Sequence, residues 1–127
     1  MTNVFGIDVA AELQQVDKHW TPRVVGRVND QYIKVAKLLG ELVWHAHDQE
    51  DEMFLVVSGR LRIQLEGGDE VVLDPGQFYV VLRGVRHNPV AESEVEIVLI
   101  ETVTTAHTGD VASERSVPIE QQLGSFS

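Results

Sequence analysis

Two histidines and four carboxylates occupy six of the eight positions of the sequence HAHDQEDE, residues 45–52. If this stretch forms a strand, successive side chains alternate between its faces, so His45 and His47 point the same way and can reach one ion. A solvated acidic turn would tolerate the same composition, because runs of charge are usually exposed. The stretch alone therefore leaves a metal site and a charged surface turn open.

The overall composition limits the chemistry that such a site can perform. The chain has 127 residues, which suits one domain with a substantial core. Its formal net charge of −10 repels nucleic acid and anionic membranes, so we expect neither as a partner. It contains no cysteine, so a bound metal must be held by imidazole, carboxylate and water.

The N-terminal sequence predicts where the protein is found. It lacks the basic start and the continuous apolar segment of a signal peptide. No stretch of the chain approaches the ~20 apolar residues of a membrane-spanning helix. These features predict a cytoplasmic protein.

The hydrophobic pattern indicates one short helix followed by many short strands. Between residues 8 and 18, Asp8 can cap a helix whose apolar residues fall on one side. Leu61, Ile63 and Leu65 alternate with polar residues, as in a half-buried strand, and Gly67-Gly68 then suits a tight hairpin. Further strands are predicted over residues 32–39, 42–47, 52–57, 71–73, 77–82, 87–91 and 94–101.

This rhythm of short strands and turns predicts an all-β fold: a double-stranded β-helix (jelly-roll) barrel with a short N-terminal helical segment. We expect residues 1–127 to form a single domain, with the barrel core over about 24–103. Residues 1–23 would be an N-terminal arm, and residues 104–127, where the alternation is lost, a C-terminal tail. Such a barrel would bring residues from distant strands around one cavity.

Two motifs of the predicted barrel resemble those of the cupin family. The first consists of a glycine, two histidines one residue apart, a glutamate and a second glycine, here Gly40, His45, His47, Glu52 and Gly59. The second is represented by Gly76, Gly84 and His87. The resemblance implies a small β-barrel that holds a divalent metal by His45, His47, Glu52 and His87.

The chain departs from the family pattern at three positions. Gly40 stands one residue closer to His45 than is usual, and Leu82 and Ala91 stand where proline and asparagine are common. These positions serve turns and packing, and all four ligand positions are kept.

The choice of Glu52 among the neighbouring carboxylates follows from the motif spacing and from its place in the sequence. Glu52 begins the apolar run of residues 53–57 and is therefore anchored to a strand, whereas Glu50 and Asp51 fall within the connecting turn.

Three neutral imidazoles and one carboxylate suit Mn, Fe, Co, Ni, Cu or Zn, and leave positions open to water or to a substrate oxygen. We therefore hypothesise a metal-dependent enzyme that acts on a small organic acid, diketone or sugar, by oxygenase, isomerase or lyase chemistry. Two alternatives stay open: a non-catalytic binding or carrier protein, and a barrel that a structural metal stabilises. No motif identifies a catalytic residue.

Lys34 and Lys37 are the candidate substrate-binding residues. Because they are three positions apart on a predicted strand, they face opposite ways, and one should point into the barrel. A buried ammonium needs an anionic partner, so an acidic substrate would be natural. Lys37 shares its parity with Ile33 and Val35, which favours it as the inward lysine, although a bulge near Gly40 would reverse the choice.

The remaining features concern assembly. His19 and His107 lie outside both motifs and are assigned to surface or subunit contacts. Strand edges and the apolar pairs Val4-Phe5 and Val24-Val25 predict a homodimer, in the way that cupins commonly pair. The expected partners are thus a second copy of the chain and a small-molecule ligand.

Overall fold

The computed structural model describes residues 5–109, 116–124 and 126. Within these residues lie two short helices and seven strands, and every paired strand is antiparallel to its neighbour. The elements are α1 (Val9–Gln14), β1 (Arg23–Val28), β2 (Gln31–Glu41), β3 (Glu52–Ser58), β4 (Leu61–Leu65), β5 (Glu70–Leu73), β6 (Phe78–Val81), β7 (His87–Thr102) and α2 (Ile119–Leu123).

The long strand β7 connects the two parts of the sheet. Its first residues pair with β4, which in turn pairs with β5, and the rest of β7 lies between β2 and β3 in the order β1-β2-β7-β3-β6. Residues 87–91 and 94–101 were expected as two strands, but no glycine or proline separates them and the strand is continuous. The all-β jelly-roll fold is confirmed.

The predicted N-terminal helix is confirmed, although it ends at Gln14. The side chain of Asp8 caps it by accepting a hydrogen bond from the amide of Ala11 at 3.2 Å. The helix covers the outer face of the sheet with an apolar cluster of Leu13, Val16, Val25, Val35 and Val98. Both faces of β2 are therefore buried over part of its length.

The interior is filled by side chains from both parts of the sheet. Trp20 precedes β1 and enters this interior from the N-terminal arm, where its indole donates a hydrogen bond to the carbonyl of Leu39 at 2.7 Å. The buried interior cluster consists of Trp20, Ala36, Leu38, Phe54, Val56, Leu61, Ile63, Leu73, Val81, Ala91, Val95, Ile97 and Leu99.

Two local predictions were wrong. Residues 42–47 form no strand; His45 makes only an isolated bridge with His87. No separate strand was predicted over Arg23–Val28, which forms β1 and in which Val24 and Val25 are 2% and 7% exposed. Because this pair is buried against its own chain, it offers no surface to a second copy. Val4 lies outside the described residues.

Gly59 shows why the first motif ends in a glycine. Its φ of +83° is one that residues with a Cβ rarely adopt, and a Cβ there would lie 2.6 Å from the carbonyl oxygen of Glu94. The turn between β3 and β4 thus passes too close to β7 for a side chain.

None of the helices in the described part of the chain is long and apolar enough to cross a membrane.

Candidate metal centre

Four side chains from the two motifs converge in the interior. Their potential donor atoms all lie within 4.8 Å of one another, and the four residues are 0 to 5% exposed. Oε1 of Glu52 lies 3.5 Å from Nε2 of His47 and 3.4 Å from Nε2 of His87. The structure thus brings together the ligand set implied by the sequence: His45, His47, Glu52 and His87.

The loop that carries two of the histidines is held against the start of β7. His45 donates a backbone hydrogen bond to His87 O at 3.0 Å, and His87 donates one to His45 O at 2.8 Å. The amide of Gly84, in the turn before His87, donates to His47 O at 2.8 Å. The two histidines therefore converge through these loop contacts and not through the strand alternation expected from the sequence.

Hydrogen bonds to backbone carbonyls fix the tautomers of two imidazoles. Nδ1 of His45 lies 2.7 Å from Val43 O, and Nδ1 of His87 lies 3.0 Å from Val85 O. A carbonyl only accepts, so each Nδ1 carries the hydrogen and each Nε2 presents its lone pair to the centre.

Glu52 is the first residue of β3, and its side chain shares the inner face with Phe54 and Val56. Its neighbours in the turn are occupied elsewhere. Glu50 accepts a hydrogen bond from Thr104, and Asp51 accepts one from the amide of Arg83. The structure therefore selects Glu52 among the carboxylates of this stretch.

Burial and mutual contact shift the pKa values of this cluster. Burial, and then the neighbouring His87, lower the pKa of His45 to about 4. Burial alone would raise the pKa of Glu52, but its contacts with Glu101, His47 and His87 outweigh burial and lower the pKa well below its ordinary value. At neutral pH the cluster therefore offers a neutral His45 imidazole and an ionised Glu52, the forms that bind metal.

Two of the donor atoms have no other bonding partner. Oε1 of Glu52 and Nε2 of His87 are buried and form no hydrogen bond with any residue that the structure describes. Leaving such atoms unsatisfied is unfavourable, and a divalent cation between them would satisfy both. Three imidazoles with one carboxylate are also a donor set that divalent transition metals prefer. The residues of this centre fit a metal ion.

A mostly apolar cavity adjoins the centre. Its volume is about 20 Å³, which leaves room for about one water molecule. His45, Glu52 and Glu101 line it together with His107 from the C-terminal segment. The other lining residues are Trp20, Pro22, Ala36, Leu38, Leu42, Phe54, Pro89, Ile97 and Leu99.

The two candidate lysines lie on opposite faces of β2, but the preference for Lys37 as the inward one was wrong. Lys34 is fully buried and lies on the same inward face of β2 as Ala36, whereas Lys37 is partly exposed. Nζ of Lys34 donates to Oε1 of Glu101 at 2.7 Å. Its charge is therefore met within the chain, and burial of the ammonium does not require an acidic substrate.

Sequence reasoning missed three residues around the cavity. Trp20, Glu101 and His107 line it, and Glu101 pairs with Lys34. His107 was assigned to the surface because residues beyond 104 show no alternation. The buried position of Glu101 could have been predicted from the sequence, since it continues the alternation of Val95, Ile97 and Leu99 in β7.

Comparison with known proteins gives a family match. A family model described as Cupin domain matches residues 38–103. The uncharacterized protein YdbB of Bacillus subtilis (strain 168) is 32% identical over 63 residues, which are 50% of this chain and 56% of that protein. The chain thus spans little more than half of the length of this curated relative.

Two solved structures are similar over most of the chain. A cupin-2 domain containing protein from Shewanella frigidimarina NCIMB 400 is 38% identical, with a TM-score of 0.73 over 76% of this chain and 93% of that chain. Protein NMB1881 from Neisseria meningitidis is 28% identical, with a TM-score of 0.71 over 77% and 99% of the respective chains.

Proposed function

The chain belongs to the cupin domain family, and from this premise we propose that it is a metal-dependent enzyme acting on a small, largely apolar molecule with two neighbouring oxygens, such as a diketone. The observation that carries this proposal is that two of the four clustered side chains, His45 and Glu52, line an apolar cavity. Apolar walls with a few convergent polar groups are typical of small-molecule sites, and this cavity must widen to admit a ligand larger than water.

His45, His47, Glu52 and His87 would hold the ion. Their donor set accommodates Mn, Fe, Co, Ni, Cu or Zn. A divalent ion at this position would act as a Lewis acid on a substrate oxygen, and ferrous iron would add dioxygen chemistry. The chain itself orients the ligands, through the carbonyls of Val43 and Val85 on two of the imidazoles.

The lining of the cavity favours a diketone over a sugar. Its walls are mostly aliphatic and aromatic. The hydroxyl groups of a sugar would lose their hydrogen bonds to water there without gaining partners, which costs ~1–3 kcal/mol for each buried group. An apolar ligand with two adjacent oxygens avoids this cost.

A small organic acid fits less well. Two carboxyl groups, those of Glu52 and Glu101, already line the cavity, and the ammonium of Lys34 is paired with Glu101. Lys37 lies on the other face of β2. An incoming carboxylate would therefore rely on the metal alone for its counter-charge.

His107 supplies a polar contact inside this pocket. Its Nδ1 accepts a hydrogen bond from the amide of Val117 at 3.0 Å, so its Nε2 carries the hydrogen when the ring is neutral. His107 is therefore a polar group in an otherwise mostly apolar wall.

A purely structural role for the metal is the second candidate, and the tightness of the cavity favours it. The two candidates differ in turnover. The wild-type protein, loaded anaerobically with Fe²⁺, Mn²⁺, Ni²⁺ or Zn²⁺, should be screened against small diketones, organic acids and sugars. Product formed from a diketone, and lost in Glu52→Gln, supports the enzyme. Metal-dependent thermal stabilisation without binding or turnover of any of these compounds supports the structural role, and spectral binding without product across all metals supports a carrier.

We also propose that the protein assembles as a homodimer. Among the described strands, β6 pairs only with β3, so its other edge carries no strand partner. Phe78 and Leu82 are each 60% exposed and Val80 is 37% exposed along this edge strand and its end. A second copy that covers these side chains would remove an apolar surface from water and protect an open strand edge.

A further inference from the structure

A row of buried polar side chains continues from Glu52 away from the histidines. Glu101 lies opposite Glu52 in the pairing of β3 with β7, and the two carboxyl groups are in contact. Oε1 of Glu101 accepts the hydrogen bond from Lys34, and Nζ of Lys34 also donates to Oε1 of Gln122 in α2. These four residues are at most 5% exposed.

The contribution of the Lys34–Glu101 pair to folding does not explain its presence. Removing two charges from water is costly, and a buried ion pair is often no more stabilising than apolar residues of similar volume. The pair also places a second buried carboxyl group opposite that of Glu52. An arrangement with this cost suggests a role in the adjacent centre.

The geometry points to that role. Oε1 of Glu52 faces the imidazoles of His47 and His87 at 3.5 and 3.4 Å, while the contact with Glu101 restrains the same carboxyl group. We propose that Lys34 and Glu101 are positioning residues, which hold the carboxylate of Glu52 toward the three imidazoles and thereby set which divalent metals the centre prefers. This inference rests on the metal centre of the proposed function.

Metal preference is the property that separates positioning from a general structural role. Mn²⁺ prefers oxygen ligands, whereas Zn²⁺ is well served by imidazoles. If the carboxylate of Glu52 loses its orientation, Mn²⁺ should lose more affinity than Zn²⁺. A general loosening of the fold would weaken both metals to a similar extent.

The test is the double variant Lys34→Met, Glu101→Leu. Removing both partners leaves no uncompensated buried charge and roughly conserves volume, so the metal-free protein should unfold near the temperature of the wild type. Affinities for Mn²⁺ and for Zn²⁺ are measured by competition with a chelator. We expect the Mn²⁺ affinity to fall by ~10- to 100-fold, the range typical for loss of a partner of a metal ligand, and the Zn²⁺ affinity to fall less.

Two single variants serve as matched controls. Lys37→Met removes the same charge from the other face of β2 and should leave both affinities unchanged. Glu101→Gln can still accept from Lys34 and can donate to Glu52, so it should retain the Mn²⁺ to Zn²⁺ preference of the wild type. If the double variant does not fold, Lys34→Met alone should shift the preference in the same direction.

An unchanged ratio of Mn²⁺ to Zn²⁺ affinity in the folded double variant overturns the inference, while the proposed metal centre stands. In Lys34→Met, an unchanged ratio has the same meaning. Absence of metal binding by the wild type overturns the proposed metal centre, and the inference with it.

Discussion

His45 and His87 lie opposite each other and exchange two backbone hydrogen bonds, at 3.0 and 2.8 Å, although one belongs to a loop and the other begins β7. This bridge joins the two sequence motifs. It also explains how the loop can present His45 and His47 to the same point without being a strand, since the backbone of β7 holds it in place.

The pH dependence of the metal-free protein should report on His45. Burial lowers the pKa of this imidazole from 6.5, its ordinary value in the unfolded chain, to about 4 in the folded protein. Between these values the unfolded state binds more protons, so the free energy of unfolding should decrease as the pH falls from about 6.5 to about 4.

Urea denaturation of the metal-free wild type and of His45→Asn over this pH range measures the effect. The raised pKa of Glu101 acts in the opposite direction, so the comparison between the two proteins is needed to isolate His45. A wild type that loses no more stability than His45→Asn on acidification would refute the assignment of a buried, neutral His45.

Gly59→Ala should destabilise the fold by more than ~1 kcal/mol, the usual cost of a residue held in an unfavourable backbone conformation. The added Cβ would meet Glu94 O at 2.6 Å in a backbone conformation with positive φ. Gly6→Ala is the control, because no atom of the described residues lies within 4 Å of the corresponding Cβ and its φ is not positive. Thermal unfolding of both variants provides the comparison, and equal melting temperatures would contradict the close approach.

Ligand selectivity should follow the lining of the cavity. With a spectroscopically active metal bound, we expect a small diketone to perturb the metal spectrum at lower concentration than a 2-oxo acid or a hexose. Lys37→Met should leave these titrations unchanged, because Lys37 lies outside the cavity. If the acid instead bound more tightly than the diketone, and if Lys37→Met weakened this binding, the result would support the acidic substrate that the sequence suggested.

The homodimer is tested by light scattering at micromolar concentration. The expected mass is twice the 14.2 kDa of the chain. Phe78→Glu should produce monomers, because it places a charge in the proposed interface, whereas Val72→Glu, at a similarly exposed apolar position on β5, should not. A wild type of 14.2 kDa, or dissociation of both variants alike, would show that this surface is not the interface.

The convergence of His45, His47, Glu52 and His87 could be predicted from the sequence because each belongs to a short motif with characteristic spacing. Which of the two lysines faces inward could not be predicted. Ile33 and Val35 are apolar on the same face as Lys37 because α1 covers that outer face, so apolar parity does not distinguish the two faces of β2.

The contribution of the C-terminal segment to the interior could not be predicted from the sequence either. His107 and Gln122 reach the interior from segments without a periodic pattern, and only the chain path in three dimensions brings them there. The alternation in β7 places Glu101 on the buried face, but its pairing with Lys34, a residue distant in the sequence, could not be predicted from that pattern.

Metal content tests the central claim most directly. The wild type and the double variant His45→Ala, His47→Ala should be incubated with Mn²⁺, Fe²⁺, Ni²⁺ or Zn²⁺ under anaerobic conditions, freed of unbound ion and analysed by mass spectrometry for metal per chain. Circular dichroism should confirm that the variant keeps its β structure, since the interior cluster is untouched. We predict about one metal ion per wild-type chain and almost none in the variant, which lacks two imidazole ligands. Equal metal content in the two proteins, or none in the wild type, would contradict the assignment of the centre.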